Sequence, residues 1–328
     1  MTHEKVTLIS PSDAHPHGLV AYVCNFLRNE HNVDAHIVSV INMPFSNDEP
    51  QRVFSEMPVG RCFVFADSSK PPAIWKDEIE EIAFFLKKSG HCYVTETTLL
   101  MPYFLYGRQD HDDKDPKRQN SVLNAKRVAE DISKYVDRVV LIDPHSEQEI
   151  GFFDTRSNII YSSHAVAEHL SRKRHLLENL VLAPTDAGGL KRTEILQSIL
   201  LKDYDIYLPL IPCHKHSRPK AEVAGQIELS GDVSGKKVLF VDDIGGTGGT
   251  SKNCECEARR KGATHVYLYV AFGEFNAGFE KYARLDGVFV TDALPNKYPG
   301  KVEVISLNNT IATAVYQAFA WKRITGHQ

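Results

Sequence analysis

Val238–Thr250, VLFVDDIGGTGGT, is the stretch that most limits what this chain can become. Val238 to Val241 read as a buried strand, two carboxylates (Asp242 and Asp243) follow, and Ser251–Lys261 reads as a helix. Between them lies a loop with Gly245, Gly246, Thr247, Gly248, Gly249 and Thr250. The glycines let backbone N–H groups turn towards one point, and the helix N-terminus adds a partial positive charge there. Such a cradle suits a phosphorylated sugar. The carboxylates can accept hydrogen bonds from ribose hydroxyls or hold a divalent cation. An ordinary strand–turn–helix with glycines for tight packing leaves the two adjacent acids unexplained. The loop is not the GxxxxGK[ST] nucleotide loop, because no Lys follows its last Gly.

The rest of the chain alternates in the same way. Strands are expected at Val6–Ser10, Ala35–Val40, Cys62–Ala66, Leu99–Phe104 and Arg138–Ile142, with helices at Leu19–Arg28, Asp77–Lys88 and Asn124–Tyr135. The second half repeats the scheme. Strands are expected at Leu180–Ala183, Ile206–Ile211, Lys237–Val241, His265–Val270 and Gly287–Val290, and helices at Ala165–Leu170, Leu190–Leu201 and Thr310–Lys322. This alternation predicts an α/β fold of βαβ units, with mostly parallel sheets covered on both faces. The length of 328 residues suits two domains, with about five strands each. The boundary is expected near Asp154–Ser162, giving domains 1–155 and 156–328, the latter with a terminal helix at 310–322. The polar stretch Arg108–Ser121 has no period and reads as a loop; loops this long inside a compact domain are usually functional or disordered.

A net charge of −4 argues against a nucleic-acid-binding surface spread over the whole protein. No apolar run approaches the roughly 20 residues that cross a bilayer, and MTHEKVTLIS is not a signal peptide, so a cytoplasmic, membrane-free protein is expected. Cys24, Cys62 and Cys92 lie in apolar segments and read as buried thiols. Cys254 and Cys256 are two apart on a helix and point to different faces, poor spacing for zinc.

VDDIGGTGGT resembles the phosphoribosyl-diphosphate-binding motif of the phosphoribosyltransferase fold. Other segments choose among the families that carry it. MPYFLYGRQD (Met101–Asp110) resembles the PY…YARQD segment of ribose-phosphate diphosphokinases, also called phosphoribosyl diphosphate synthetases. NAKRVA (Asn124–Ala129), VVLIDPHSEQEIGFFD (Val139–Asp154), LAPTDAGGLKR (Leu182–Arg192) and PFSNDE (Pro44–Glu49) are similar to further segments of that family. They run in family order over nearly the whole chain.

The resemblance implies two phosphoribosyltransferase-type domains, the first on the ATP side, the second binding ribose phosphate, with the active site in a cleft between them. It implies transfer of pyrophosphate from MgATP to the anomeric hydroxyl of ribose 5-phosphate, with AMP released. Arg108 and Gln109 match the family's ATP-contacting pair. Phe45, Asn47 and Glu49 match a loop that reaches ATP on a neighbouring subunit, which implies a homo-oligomer with shared sites. His145 and Asp186 match positions that hold Mg2+ on ATP. Asp242 and Asp243 match residues at the ribose hydroxyls and a second cation, and Thr247–Thr250 the 5-phosphate cradle. Lys215 with Arg218 lies in a segment matching a catalytic loop that closes on the β- and γ-phosphates; such a clamp is worth on the order of 10³-fold in rate.

The chain departs from the family pattern at four places. The family's loop reads DDI-x-D-T-x-G-T, whereas here Gly246, preceded by Gly245, stands before the first Thr. Asn47 replaces a carboxylate in the FSNDE segment. The Arg108–Ala125 loop is longer and carries His111 and Asp112. His216 and Ser217 stand where the family has arginine. The missing side chains at 245 and 246 suggest a pocket opened beyond the 5-phosphate, into which a larger acceptor such as ADP-ribose would fit. Two readings stay beside these: a non-catalytic regulatory relative of the synthetase, and a phosphoribosyltransferase that shares the acid–Gly/Thr loop.

Overall fold

The computed structural model describes residues 4–11, 18–47, 49–88, 93–111, 122–215, 227–294 and 298–325. The chain forms two compact units, Met1–Ile160 with Asn308–Gln328, and Tyr161–Leu307. The first contains β1 (Val6–Ser10), α1 (Leu19–His31), β2 (Ala35–Asn42), β3 (Arg52–Phe54), β4 (Val59–Phe65), α2 (Pro72–Lys88), β5 (Tyr93–Met101), α3 (Asn124–Ser133), β6 (Arg138–Ile142) and β7 (Arg156–Ile160). Its seven strands run in the order β3-β2-β1-β4-β5-β6-β7. All neighbours are parallel except the hairpin pair β2 and β3. The strand runs are apolar because helices cover them. Ala125, Val128, Ala129 and Ile132 repeat at helical spacing along α3 and meet Leu99, Val139 and Leu141, while Trp75, Ile79 and Ile82 of α2 enter the same core. Each large side chain so buried contributes roughly 1.5–3 kcal/mol.

The second unit contains α4 (Ser163–Ser171), α5 (Arg174–Leu177), β8 (Leu180–Pro184), α6 (Leu190–Tyr204), β9 (Cys213–Lys215), β10 (Ile227–Leu229), β11 (Lys237–Gly245), α7 (Gly249–Arg260), β12 (His265–Gly273), β13 (Gly287–Thr291) and β14 (Val302–Ile305). Its five-stranded sheet is parallel throughout, in the order β14-β13-β12-β11-β8. β9 and β10 form a separate antiparallel pair. α8 (Asn308–Thr325) ends the chain.

The α/β class and the parallel sheets agree with the sequence reading; several boundaries do not. α8, expected with the second domain, packs on the first unit. Its Tyr316 ring stacks on His31 of α1 at 3.4 Å, and Arg61 of β4 donates to the Phe319 carbonyl at 2.6 Å. β7 also completes the first sheet, so that unit runs to Ile160 rather than 155. The strand read at Leu99–Phe104 lies at Tyr93–Met101, because Pro102 has no N–H to carry the ladder on. Ile206–Ile211 is not a strand. Pro209 interrupts it, and only a single bridge, Leu182 to Leu210, remains. β11 continues past Val241 to Gly245, since β12 pairs with it all the way to Gly273. Cys24, Cys62 and Cys254 are buried and Cys256 is exposed, as their patterns predict; Cys92 lies outside the described residues. Among the described residues no helix is long and apolar enough to cross a membrane.

Candidate active site

The Gly/Thr loop sits at the C-terminal end of β11, where parallel sheets bind their ligands. Asp242 and Asp243 are the last polar residues of the strand. Each carboxylate is held by the next residue's amide: Asp242 Oδ1 accepts the Asp243 N–H at 2.9 Å and Asp243 Oδ1 accepts the Ile244 N–H at 2.8 Å. Asp242 Oδ2 accepts the Thr185 hydroxyl at 2.7 Å. Gly248 stands at the start of α7 with φ 75, and no side chain caps the helix. Gly248 has no side chain with which to cap the amides of the first turn, and a helix start of that kind is one that an anion can satisfy. Thr247 is exposed and Thr250 half-buried beside it.

Asp186 belongs to the same unit. Its Oδ1 accepts the Gly188 and Gly189 N–H groups at 2.9 and 3.2 Å, which caps the turn Ala187–Gly189. Burial and then the charge of Asp243, with Asp186 adding to them, push the Asp242 carboxyl up to about 7. A divalent cation relieves such a concentration of like charge, and hard carboxylate oxygens are the donors that Mg2+ prefers. Among the described residues no three His, Cys, Asp or Glu side chains could cage an ion by themselves. Mg2+ usually takes only one or two carboxylates and completes its shell with water and phosphate.

The first unit carries the remaining candidates. Arg108 and Gln109 lie exposed on a tight turn, Gly107–Gln109, just after β5. The Asn124 side chain at the start of α3 donates to Gln109 Oε1 at 2.6 Å. His145 is exposed just beyond β6. There Asp143 adopts φ 41 and turns the chain off the sheet. Glu149 supports both segments from below. It is fully buried and accepts the Ser146 N–H at 2.8 Å, while a Cβ on Gly107 would stand 3.2 Å from its carboxylate. Phe45, Asn47 and Glu49 sit on the connection between β2 and β3. It is closed by the Phe45 N–H to the Glu49 carbonyl at 2.9 Å and the Glu49 N–H to Asn47 Oδ1 at 3.3 Å. Phe45 is 52% exposed and Met43 53%.

Lys215 ends β9, paired with Ile227 of β10. Arg218, Asp48, Asp112, His216 and Ser217 lie outside the described residues.

The structure corrects the expectation that Gly245 and Gly246 both leave open space. A Cβ on Gly246 would meet nothing within 4 Å, but one on Gly245 would stand 2.7 Å from the Phe275 ring. Three supporting residues escaped the sequence reading. Glu149 was legible as the end of a Ser146-x-x-Glu149 capping box. Thr185 and Phe275 carry no local signal, since each meets its partner only through the sheet.

No family model matches the chain. Whole-chain relatives do. The ribose-phosphate pyrophosphokinase of Porphyromonas gingivalis is 30% identical over 288 residues, 87% of this chain and 86% of that protein. The ribose-phosphate pyrophosphokinase of Aquifex aeolicus is 33% identical over 226 residues, 67% and 69% of the two chains. Among solved structures, phosphoribosylpyrophosphate synthetase from Mycobacterium smegmatis superposes with a TM-score of 0.76 over 96% of this chain and 99% of that one; at 23% identity that likeness is one of fold. The acid-led Gly/Thr loop and these relatives agree: the chain belongs to the ribose-phosphate pyrophosphokinase family and is a transferase of that type.

Proposed function

We propose that this enzyme transfers the β,γ-diphosphoryl group of ATP to the anomeric hydroxyl of ribose 5-phosphate. The anomeric oxygen bonds to the β-phosphorus, the bond from that phosphorus to the α-phosphate oxygen breaks, and AMP leaves. The observation that carries this reading is the Asp242–Asp243 pair leading into the uncapped start of α7. The loop amides suit the 5-phosphate, and the two carboxylates suit the ribose hydroxyls. Arg108 and Gln109 offer a guanidinium and an amide to ATP. Lys215 and Arg218 supply cations for the β- and γ-phosphates. Mg2+ on the phosphates, for which His145, Asp186 and the acid pair are the candidates, would offset the charge that develops as AMP leaves. Positioning and charge neutralisation are most of what this chemistry asks of a protein.

The exposed apolar side chains of the β2–β3 hairpin, Ile41, Met43, Phe45 and Val53, support a homo-oligomer in which this hairpin serves a neighbour's ATP site.

A second acceptor has one observation in its favour. The space at Gly246 is open, so a group carried beyond the 5-phosphate, as in ADP-ribose, has somewhere to go. Purified protein incubated with MgATP and each acceptor in turn, with AMP measured, separates the readings. AMP from ribose 5-phosphate is the expected result. AMP from ADP-ribose alone transfers the assignment to the larger acceptor, and a Gly246→Asp variant should then lose it. AMP from neither acceptor marks a regulatory relative and overturns the proposal.

A further inference from the structure

The loop that cradles the acceptor phosphate is backed by aromatic rings, and one of them is held in an unusual way. Gly245 of β11 and Gly273 of β12 lie side by side in register. A Cβ on Gly245 would stand 2.7 Å from Phe275 Cε1, and one on Gly273 2.8 Å from Phe275 Cε2. One ring therefore lies across both bare backbones and requires glycine at each. The Phe275 N–H also donates to the Gly245 carbonyl at 2.6 Å. To do all this Phe275 takes φ 44, a left-handed conformation that bulky residues avoid. Strain of this sort persists only where the surroundings enforce it.

The surroundings are three more rings. Phe279, Tyr282 and Tyr298 meet Phe275 nearly edge-on, with centroids 5.2, 4.8 and 5.7 Å away. Tyr282 is fully buried and reaches the loop itself. Its hydroxyl donates to the Gly246 carbonyl at 3.1 Å, and a Cβ on Gly248 would stand 2.9 Å from its Cε2. The cluster thus touches the loop at Gly245, Gly246 and Gly248.

We propose that Phe275 is a positioning residue for the acceptor phosphate: wedged against Gly245 and Gly273 and braced by Tyr282, it sets the curvature of the loop whose amides bind that phosphate. The proposal rests on the assignment of this loop to the acceptor. It also makes Gly245 the complementary half of the wedge, so the missing side chain there is filled by Phe275 and offers no room to substrate. Ordinary core packing would make Phe275 matter for stability alone. A positioning role makes it matter for one substrate and not the other.

The test uses the full-length protein and the variants Phe275→Leu, Phe275→Ala, Gly245→Ala and the double variant Gly245→Ala/Phe275→Ala. Circular dichroism checks folding, and the Leu variant keeps the test alive should the Ala variant unfold. Calorimetry reads the Kd for ribose 5-phosphate and, as a second probe, inorganic phosphate; steady-state assays read KM for ATP and for the acceptor. Phe275→Ala and Gly245→Ala should each weaken acceptor binding about tenfold or more, with KM for ATP within about twofold. The double variant should bind better than Gly245→Ala alone, because the new methyl enters the space the ring has left. Unchanged acceptor binding in a folded Phe275 variant overturns the proposal. So do equal shifts for both substrates, or losses that simply multiply in the double variant. A wild-type protein that binds inorganic phosphate but forms no AMP refutes the reaction and leaves the wedge measurable with phosphate. One that binds neither probe overturns both.

Discussion

Two glycines two positions apart in the same loop should respond oppositely to alanine. Gly248 has φ 75, and a Cβ there would stand 2.9 Å from Lys281 Cβ and 2.9 Å from Tyr282 Cε2. The left-handed backbone costs a non-glycine residue about 1–2 kcal/mol, and overpacking typically adds ~1–3 kcal/mol. Loss of unfolded-chain freedom returns roughly 0.4–1 kcal/mol. Gly248→Ala should therefore destabilise the second unit by about 1–5 kcal/mol. Gly246 has no positive φ and nothing within 4 Å of the added methyl, so only the favourable part applies. Gly246→Ala should be neutral or stabilising by up to about 1 kcal/mol. At about 2–4 °C per kcal/mol for a unit of this size, the first variant should lower the melting midpoint by roughly 2–20 °C and the second should not lower it at all. Differential scanning calorimetry is the assay, because the two units can melt in separate steps and only one should move. Equal shifts, or a larger loss at Gly246, would refute the assignment of a crowded socket to Gly248 and open space to Gly246.

Three further outcomes follow from the same contacts. Asp242 holds its proton up to about 7 in the folded chain against an ordinary 3.8, so its share of stability is intact below pH 4 and is lost as pH rises to about 7. The shift of about three units sets a ceiling near 4 kcal/mol on that loss. Urea titrations without divalent cation should find Asp242→Asn less sensitive to pH than wild type across that window; a steeper decline in the variant would contradict it. Thr185→Val removes the hydroxyl that Asp242 accepts and should cost about 1–2 kcal/mol and raise the acceptor KM, leaving KM for ATP unchanged in the same assay. Glu149→Ala deletes the capping box beside His145 and should cost about 1–2 kcal/mol while raising KM for ATP; a variant with wild-type ATP kinetics would separate Glu149 from the site.

Much of the second sheet could be read directly. Val238–Val241, His265–Val270 and Gly287–Val290 are near-continuous apolar runs because parallel strands are buried on both faces, and each became the heart of β11, β12 or β13. The short strands were not legible. β3 and β7 lie at sheet edges with polar residues on them, and β9 and β10 are three residues each, so neither composition nor period marks them. Leu99–Phe104 and Ile206–Ile211 misled for the converse reason: apolar composition suggested strands where prolines forbid the ladder.

The chemistry divides along the same line. Residue order alone determined that a pair of acids leads into a Gly/Thr loop, because that motif needs only a strand end, small residues and a helix start in succession, and it pointed to the family through segments spread along the chain. Tertiary structure decided what stands behind the cradle. Thr185 reaches Asp242 from β8's end, and Phe275 reaches Gly245 from β12's, across parallel strands whose partners are set by sheet register. Whether a glycine's missing side chain leaves a space or a socket depends on that register, and for Gly246 and Gly245 it gives opposite answers.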